Sequence, residues 1–239
     1  MTYSKVFVTG IRTGLGHALA KSLLADGSEV FGISRSSPED LMVEDRLRFR
    51  AMDLAETDEI RDGIRQLLDG VKELDLVIFN AGVLGEIKDL ADTSISEIER
   101  ILNVNVWANK IIYDSLLELN IQVPQIVAIS SGAAVNGSGG WGGYSISKSA
   151  LNLLFRVYAH EHPETHFVSL APGLVHSQLL DYVCSLEQDE RYPAIGRIRD
   201  AFGTERMQTP QQAADRLIRS LPGLLEQPTG SYVDIRTID

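Results

Sequence analysis

Seven short β-rich runs alternate with segments of helical periodicity along this chain, and no other feature limits its fold as strongly. The runs are KVFVTG (5–10), EVFGIS (29–34), LRFRAMDL (47–54), LDLVIFNAG (74–82), QIVAISS (125–131), HFVSLAPG (166–173) and SYVDIRTI (231–238). Between them, LGHALAKSLLAD, TDEIRDGIRQLLDGV, SISEIERILNVNVWANKIIYDSLLELN, YSISKSALNLLFRVYAHEH and TPQQAADRLIRSLPGLL repeat apolar residues at i, i+3, i+4 and i+7. Strand, helix and strand in turn imply a parallel sheet covered on both faces. LVIF and IVAI lack polar alternation, as central strands buried on both sides should. The expected class is therefore α/β, a doubly wound, mostly parallel, seven-stranded sheet with helices on both faces.

The 239 residues, 44% of them hydrophobic, can bury one substantial core without a second domain. No repeat, low-complexity tract or linker divides the chain, so 1–239 reads as a single domain. One stretch, 174–208 (LVHSQLLDYVCSLEQDERYPAIGRIRDAFGTERMQ), breaks the alternation and reads as an irregular insertion, a substrate-binding loop or lid. A net charge of −11 leaves no basic face for phosphates along a nucleic acid or for an anionic membrane, and neither is expected as a partner. No apolar run approaches a membrane span, and MTYSKVFVTG enters a strand pattern without a signal-peptide layout, so the expected location is the cytoplasm. The single Cys184 excludes an internal disulfide or a cysteine-based zinc site, and His17, His160, His162, His166 and His176 have no ligand spacing; no metal is expected.

Phosphate chemistry gives the first specific signal. TGIRTGLG, Thr9 to Gly16, ends the first strand and opens a helix. Glycines at 10, 14 and 16 let the backbone turn sharply and come close to a pyrophosphate, while the helix N-terminus offers free N–H groups and a positive dipole. The GxxxGxG spacing differs from the GxGxxG dinucleotide fingerprint.

That loop is followed in order by Asn80–Ala81–Gly82 after the fourth run, Asn105 in NVNVWA, Ser131 in ISSG, Tyr144 and Lys148 in YSISK, and Pro172–Gly173 in APGLVHS. The ordered set closely resembles the short-chain dehydrogenase/reductase family in its compact, single-domain branch. The resemblance implies a Rossmann sheet, hydride transfer with a nicotinamide cofactor, and catalysis by Tyr144, Lys148, Ser131 and Asn105. It also implies cofactor contacts from Gly10, Arg12, Thr13, Gly14, Leu15, Gly16, Ser34, Arg35, Asp53, Leu54, Asn80, Ala81, Gly82, Tyr144, Lys148, Pro172, Gly173, Val175 and Ser177.

The residues support that chemistry. GGWGGYSISK reads as a flexible glycine-rich loop entering a helix, with Tyr144 and Lys148 at i and i+4 on one face. A phenol titrating near 10 must be brought down by about three units to act near neutrality, at about 1.4 kcal/mol per unit. One cation about 4 Å away supplies about 4 kcal/mol at an effective dielectric of about 20, so Lys148 is expected to depress Tyr144. By the resemblance, Tyr144 donates a proton to a carbonyl oxygen, Ser131 hydrogen-bonds the same oxygen, Lys148 holds the nicotinamide ribose, and Asn105, taken as the middle of one long helix, holds a water that links the lysine to solvent. Packed-aromatic, turn-serine and core-amide roles also suit Tyr144, Ser131 and Asn105, and Asn103 competes with Asn105.

Cofactor choice follows from charge. Ser34 ends the second run where NAD-dependent relatives carry an acid for the ribose 2′-hydroxyl. Arg35 follows it and Arg12 lies in the glycine loop, so a 2′-phosphate would meet guanidinium instead of carboxylate, and NADP(H) is expected over NAD(H). The family's loop cation more often stands at the position of Thr13, which leaves most of this expectation on Arg35.

Trp141 and the ending GSYVDIRTID resemble sepiapterin-reductase and benzil-reductase members. The implied substrate is a ketone or diketone with an aromatic or cyclic body, its pocket formed by Ser131, Trp141, Tyr144, Tyr182 and the 174–208 segment, with Asp234 at the position of a pterin anchor. A non-catalytic NADP(H)-binding regulator on the same fold is the alternative; such proteins typically lack the tyrosine or lysine that this chain keeps. A sugar-nucleotide epimerase or dehydratase would need a GxxGxxG loop and a longer C-terminal region. The resemblance also implies a homo-oligomer, dimer or tetramer, paired through the helices that begin near Ile95 and Tyr144.

Overall fold

The computed structural model describes residues 3–238. Its strands are β1 (Lys5–Thr9), β2 (Glu29–Ser34), β3 (Leu47–Ala51), β4 (Leu76–Phe79), β5 (Gln125–Ile129), β6 (His166–Ala171) and β7 (Ser231–Asp234). They form one seven-stranded sheet in the order β3-β2-β1-β4-β5-β6-β7. Every pairing is parallel, from Lys5 opposite Glu29 to Ala171 opposite Asp234, so the sheet is parallel throughout and not merely for the most part.

The helices are α1 (Gly14–Ala25), α2 (Thr57–Leu67), α3 (Ile95–Leu102), α4 (Ala108–Glu118), α5 (Ala133–Asn136), α6 (Gly142–Glu161), α7 (Gln178–Ser185), α8 (Pro193–Ala201) and α9 (Pro210–Leu224). Successive strand residues point to opposite faces, and the core divides accordingly. Phe7, Val77, Ile126, Ala128 and Phe167 join one apolar cluster with residues of α2, α4 and α6. Val6, Val8, Ile78, Val127 and Leu170 join another with α1 and α9. Both faces are thus dry, which is why the central runs read as uninterrupted apolar sequence.

Strand order reverses between β1 and β4: the chain builds outward through β2 and β3, then returns to the other side of β1. The loops leaving β1 and β4 therefore face each other across a crevice at the carboxyl end of the sheet, the usual ligand position of doubly wound folds.

Two expectations change. The segment 174–208 is not irregular, because α7 and α8 occupy much of it and pack on each other. Together with Leu84, Trp141 and Met207 they make a third apolar cluster, which Tyr144 joins as a partly buried member. The run from Ile95 to Glu118 is not one regular helix either: Asn103–Trp107 forms a π-helical turn between α3 and α4, with the Ala108 amide donating to the Asn103 carbonyl. Such wide turns cluster at functional sites. No helix among the described residues is long and apolar enough to cross a membrane.

Candidate active site

The loop from Thr9 to Gly16 is held by β4. The Asn80 and Ala81 amides both donate to Thr9 Oγ1 at 2.9 Å, and Asn80 Nδ2 donates to the Thr9 carbonyl at 2.9 Å. Gly10 has φ +79° and packs so closely on Ala81 that a Cβ there would lie 3.1 Å from the Ala81 Cα. A Cβ at Gly16 would fall well inside contact with the Gly10 carbonyl and the Asn80 amide. Gly14 differs. Its φ is +64°, and the nearest atom to an added Cβ is Ser177 Cβ at 3.9 Å, so space lies in front of it. Thr13 precedes α1 without a side-chain cap and no acid stands in the first turn, which leaves the first amides of α1 free for an anion.

Arg12 and Arg35 are exposed beside this loop and form no ion pair or hydrogen bond among the described residues. Ser34 is nearly buried and turns its hydroxyl to the Ser36 carbonyl, 2.8 Å away. Asp53 is exposed and accepts from the Ala55 amide, while Leu54 is buried. On the far rim, Gly173 takes φ +80°, Gln208 donates to the Pro172 carbonyl at 3.2 Å, and Val175 pairs with Gln208. Ser177 caps α7 by accepting from the Leu180 amide, and it faces Gly14.

Tyr144 and Lys148 share one face of α6. The Lys148 ammonium lies 5.8 Å from the centre of the Tyr144 ring and donates to the Ile129 carbonyl at 2.7 Å. Ser131, just past β5, stands beside the phenol, whose titration it pulls down, and accepts from the Ala133 amide at 3.1 Å. Asn105 is fully buried in the π turn. Its Oδ1 accepts from the Val83 amide at 2.8 Å, and its Nδ2 donates to the Val83 carbonyl and to Ser147 Oγ, each at 2.9 Å. A Cβ on Gly82 would lie 3.3 Å from Asn105 Oδ1 and 3.4 Å from Lys148 Nζ, so the bare glycine lets the β4 loop close over both. Ser131, Tyr144, Lys148 and Asn105 thus meet in one place, and Asn103 makes none of these contacts.

The expected depression of Tyr144 by its lysine is not what the ligand-free protein has. Burial pushes the phenol above its ordinary value, against a smaller downward pull from Ser131. Burial also brings Lys148 down to about 8, because an ammonium with one protein acceptor is poorly solvated there.

The glycine-rich entry to α6 is not a loose loop. Gly140, at φ +84°, would place a Cβ 2.8 Å from the Tyr192 ring and 2.9 Å from Ile87. Beside it, Gly142 would meet Leu90 at 2.7 Å and Gly143 would meet Ile101 at 2.9 Å. The glycines are a mould for side chains of the protein itself. Tyr192 is held there by donating to Asp89 at 3.0 Å, a carboxylate that Arg191 also reaches at 3.3 Å. Trp141 is buried, with its ring centre 6.3 Å from that of Tyr144. Nothing in the sequence pointed to Asp89, Tyr192 or Ser147, since each is an ordinary residue type made relevant only by what folds against it.

Tyr182 is exposed on α7 and lines a surface cavity of about 630 Å³ with Gly85, Glu86, Ile87, Glu97 and Arg100. None of Ser131, Tyr144 and Lys148 lines it. Asp234 ends β7 with its carboxylate taken by the Arg236 guanidinium at 2.5 Å and the Arg236 amide at 3.0 Å. Arg236 holds that carboxylate below the ordinary aspartate range, so a substrate would have to compete for it.

With this geometry in place, comparison with known proteins decides the family. The family description short chain dehydrogenase matches residues 4–187. The chain is a short-chain dehydrogenase/reductase. It is 27% identical over 247 residues to the benzil reductase ((S)-benzoin forming) IRC24 of Saccharomyces cerevisiae, covering 95% of this chain and 94% of the relative. It is 29% identical over 203 residues to the sepiapterin reductase of Xenopus laevis, covering 76% and 77%. Among solved structures, the KRED1-Pglu enzyme superposes with a TM-score of 0.83 at 24% identity, covering 96% of this chain and 100% of that one. A short-chain dehydrogenase from Burkholderia cenocepacia J2315 in complex with NADP does so with a TM-score of 0.77 at 20% identity, covering 97% and 95%. The chain is thus an oxidoreductase of a family that uses nicotinamide cofactors.

Proposed function

We propose that this protein is an NADPH-dependent carbonyl reductase acting on ketones or diketones with an apolar, aromatic or cyclic body. The convergence of the Tyr144 phenol, the Ser131 hydroxyl and the Lys148 ammonium beside the β1–β4 crevice carries the reading. The crevice suits the cofactor: Gly14 leaves space in front of a helix N-terminus with no side-chain cap, and the unpaired Arg12 and Arg35 stand where a 2′-phosphate would come. Gly10, Asn80, Ala81 and Gly82 would form its floor, and Pro172, Gly173, Val175 and Ser177 its far rim. The bound reduced nicotinamide supplies the hydride.

The chain's own residues manage the proton. Ser131 donates a hydrogen bond to the substrate carbonyl oxygen, which holds it beside Tyr144 and stabilises the charge that develops there. Tyr144 passes its Oη proton to that oxygen and is left as a phenolate. Lys148, protonated at that moment, stands over the ring of the phenolate with its Nζ 5.8 Å from the ring centre, and a cation at about that range is worth about 3 kcal/mol at an effective dielectric of about 20. That offsets about two units of the upward push that burial exerts on the phenol. The apolar cluster of α7, α8 and Trp141 gives the substrate body a dry wall. Similarity to benzil and sepiapterin reductases supports the carbonyl class, and the NADP-bound structural relative supports the cofactor. Exposed Ile95, Trp107, Ile146, Leu153 and Val157 support pairing of two copies through the helical run that begins near Ile95 and through α6.

NADPH oxidation with a panel of aromatic diketones and monoketones tests the reading. Tyr144→Phe should lower turnover by about 10²–10⁴-fold while NADPH binding stays within a factor of about two. Undiminished turnover would remove the phenol from the chemistry. Arg35→Ala should weaken NADPH by about 1.5–3 kcal/mol and leave NADH nearly untouched. Equal losses for both would refute the 2′-phosphate assignment.

A further inference from the structure

Asn105 grips both backbone polar groups of Val83, the residue that follows Gly82, and so acts as a strand partner for the chain leaving β4. A side-chain amide can do this in one orientation only, with oxygen toward the Val83 N–H and nitrogen toward its carbonyl. Ser147 supplies a further reason for that orientation. Its hydroxyl has one proton, which it donates to the Tyr144 carbonyl at 2.7 Å, leaving only lone pairs toward Asn105. A flipped amide would set oxygen against oxygen at Ser147 and at the Val83 carbonyl. Ser147 is fully buried, so water has no access to replace it. On the other side of the π turn, Asn109 donates to the Asn105 carbonyl at 2.8 Å and ties the Asn105 backbone as well.

We propose that Ser147 is a positioning residue for carbonyl reduction: by fixing the amide of Asn105 it fixes the Gly82–Val83 wall against which Lys148 is seated. The relay runs from Tyr144 O through Ser147 Oγ and Asn105 to Val83, so it starts on the tyrosine's own turn of α6 and ends on the loop that covers the lysine. Gly82 transmits it, since it borders both groups: a Cβ added there would lie 3.3 Å from Asn105 Oδ1 and 3.4 Å from Lys148 Nζ. The turnover arm rests on the carbonyl-reductase reading; the exchange arm does not.

The experiment compares Ser147→Ala, Asn105→Ala and the double variant by amide hydrogen exchange without ligand and by turnover with NADPH and benzil. In Ser147→Ala the Val83 amide should exchange roughly tenfold faster, the equivalent of one hydrogen bond, while the β4 core amides keep their protection. kcat should fall roughly tenfold with KM for NADPH unchanged, and the double variant should be no worse than Asn105→Ala, because both substitutions cut one relay. Ser147→Cys keeps the volume with a weaker partner and should fall between wild type and Ser147→Ala, which covers the case of poor folding by Ser147→Ala. Unchanged exchange at Val83, or losses that add in the double variant, would overturn the proposal. A wild-type protein that turns over no carbonyl compound would sink the functional reading instead, with Val83 exchange still deciding the relay.

Discussion

Two glycine-rich stretches, 10–16 and 139–143, look alike as sequence and serve opposite purposes. Beyond Gly14 the first stretch faces empty space with exposed, unpaired arginines beside it, so its missing side chain makes room for something from outside. The second is filled from inside by Tyr192, Ile87, Leu90 and Ile101. The contrast lies at Gly14, which is left open, since Gly10 and Gly16, like the second stretch, are packed by the protein's own atoms. Glycine by itself does not distinguish them, and the partner that arrives does.

Alanine substitution should separate the two, and Gly16→Ala should have the largest effect. Its Cβ would meet the Gly10 carbonyl, and backbone cannot rotate away, so a loss of about 3 kcal/mol is expected together with NADPH binding. Thermal unfolding within a degree of wild type would show that the loop has slack.

The second effect concerns Lys148, on the helix that the second stretch opens. Its folded value of about 8 lies below the ordinary 10.5, so the cost of burying the ammonium is fully present below pH 8 and is relieved as pH rises toward 10.5. Lys148→Met should therefore stabilise the ligand-free protein by about 3 kcal/mol at pH 7, and the gain should shrink through that window. Above pH 10 the tyrosines act in the other direction. Burial raises Tyr113 to about 12 and Tyr158 is raised as well, so folding loses stability there as the unfolded phenols ionise first. Chemical denaturation at several pH values checks this, and a gap that does not vary with pH would contradict it.

Smaller effects should come from the inner stretch. Gly140→Ala combines φ +84° with contacts to Tyr192 and Ile87, for a cost of about 2 kcal/mol. Adding Tyr192→Ala should return only the steric part, because the backbone strain remains. Gly142→Ala should change stability by less than about 0.5 kcal/mol, since a half-exposed Leu90 can turn aside and alanine favours the helix. If Gly142→Ala proved the costlier of the two, the mould would be drawn wrongly.

Much of this was legible in the chain. β-rich runs marked every strand: burial on both faces leaves no room for polar alternation in central Leu76–Phe79, while the edge strand Leu47–Ala51 alternates arginine with apolar residues. Tyr144 and Lys148 were legible because helical spacing is local, and Gly10, Gly14 and Gly16 because a sharp turn into a helix leaves few alternatives. The π turn at Asn103–Trp107 was not, since the apolar period hardly changes when one turn widens. The helices α7 and α8 were hidden by a mixed pattern whose burial depends on Trp141 and Leu84 far away in sequence.

The sequence by itself determined the parallel α/β architecture, the family and the candidate acid–base pair, because each rests on spacing within one element or on the order of elements. Tertiary structure alone decided that Tyr144 is raised and not lowered in the ligand-free protein, that Asp234 is occupied by Arg236, and that the glycines at 140–143 receive Tyr192, Leu90 and Ile101. Desolvation, competition for a carboxylate and close approach all depend on which distant residues share a volume, and that is set only once the chain has folded.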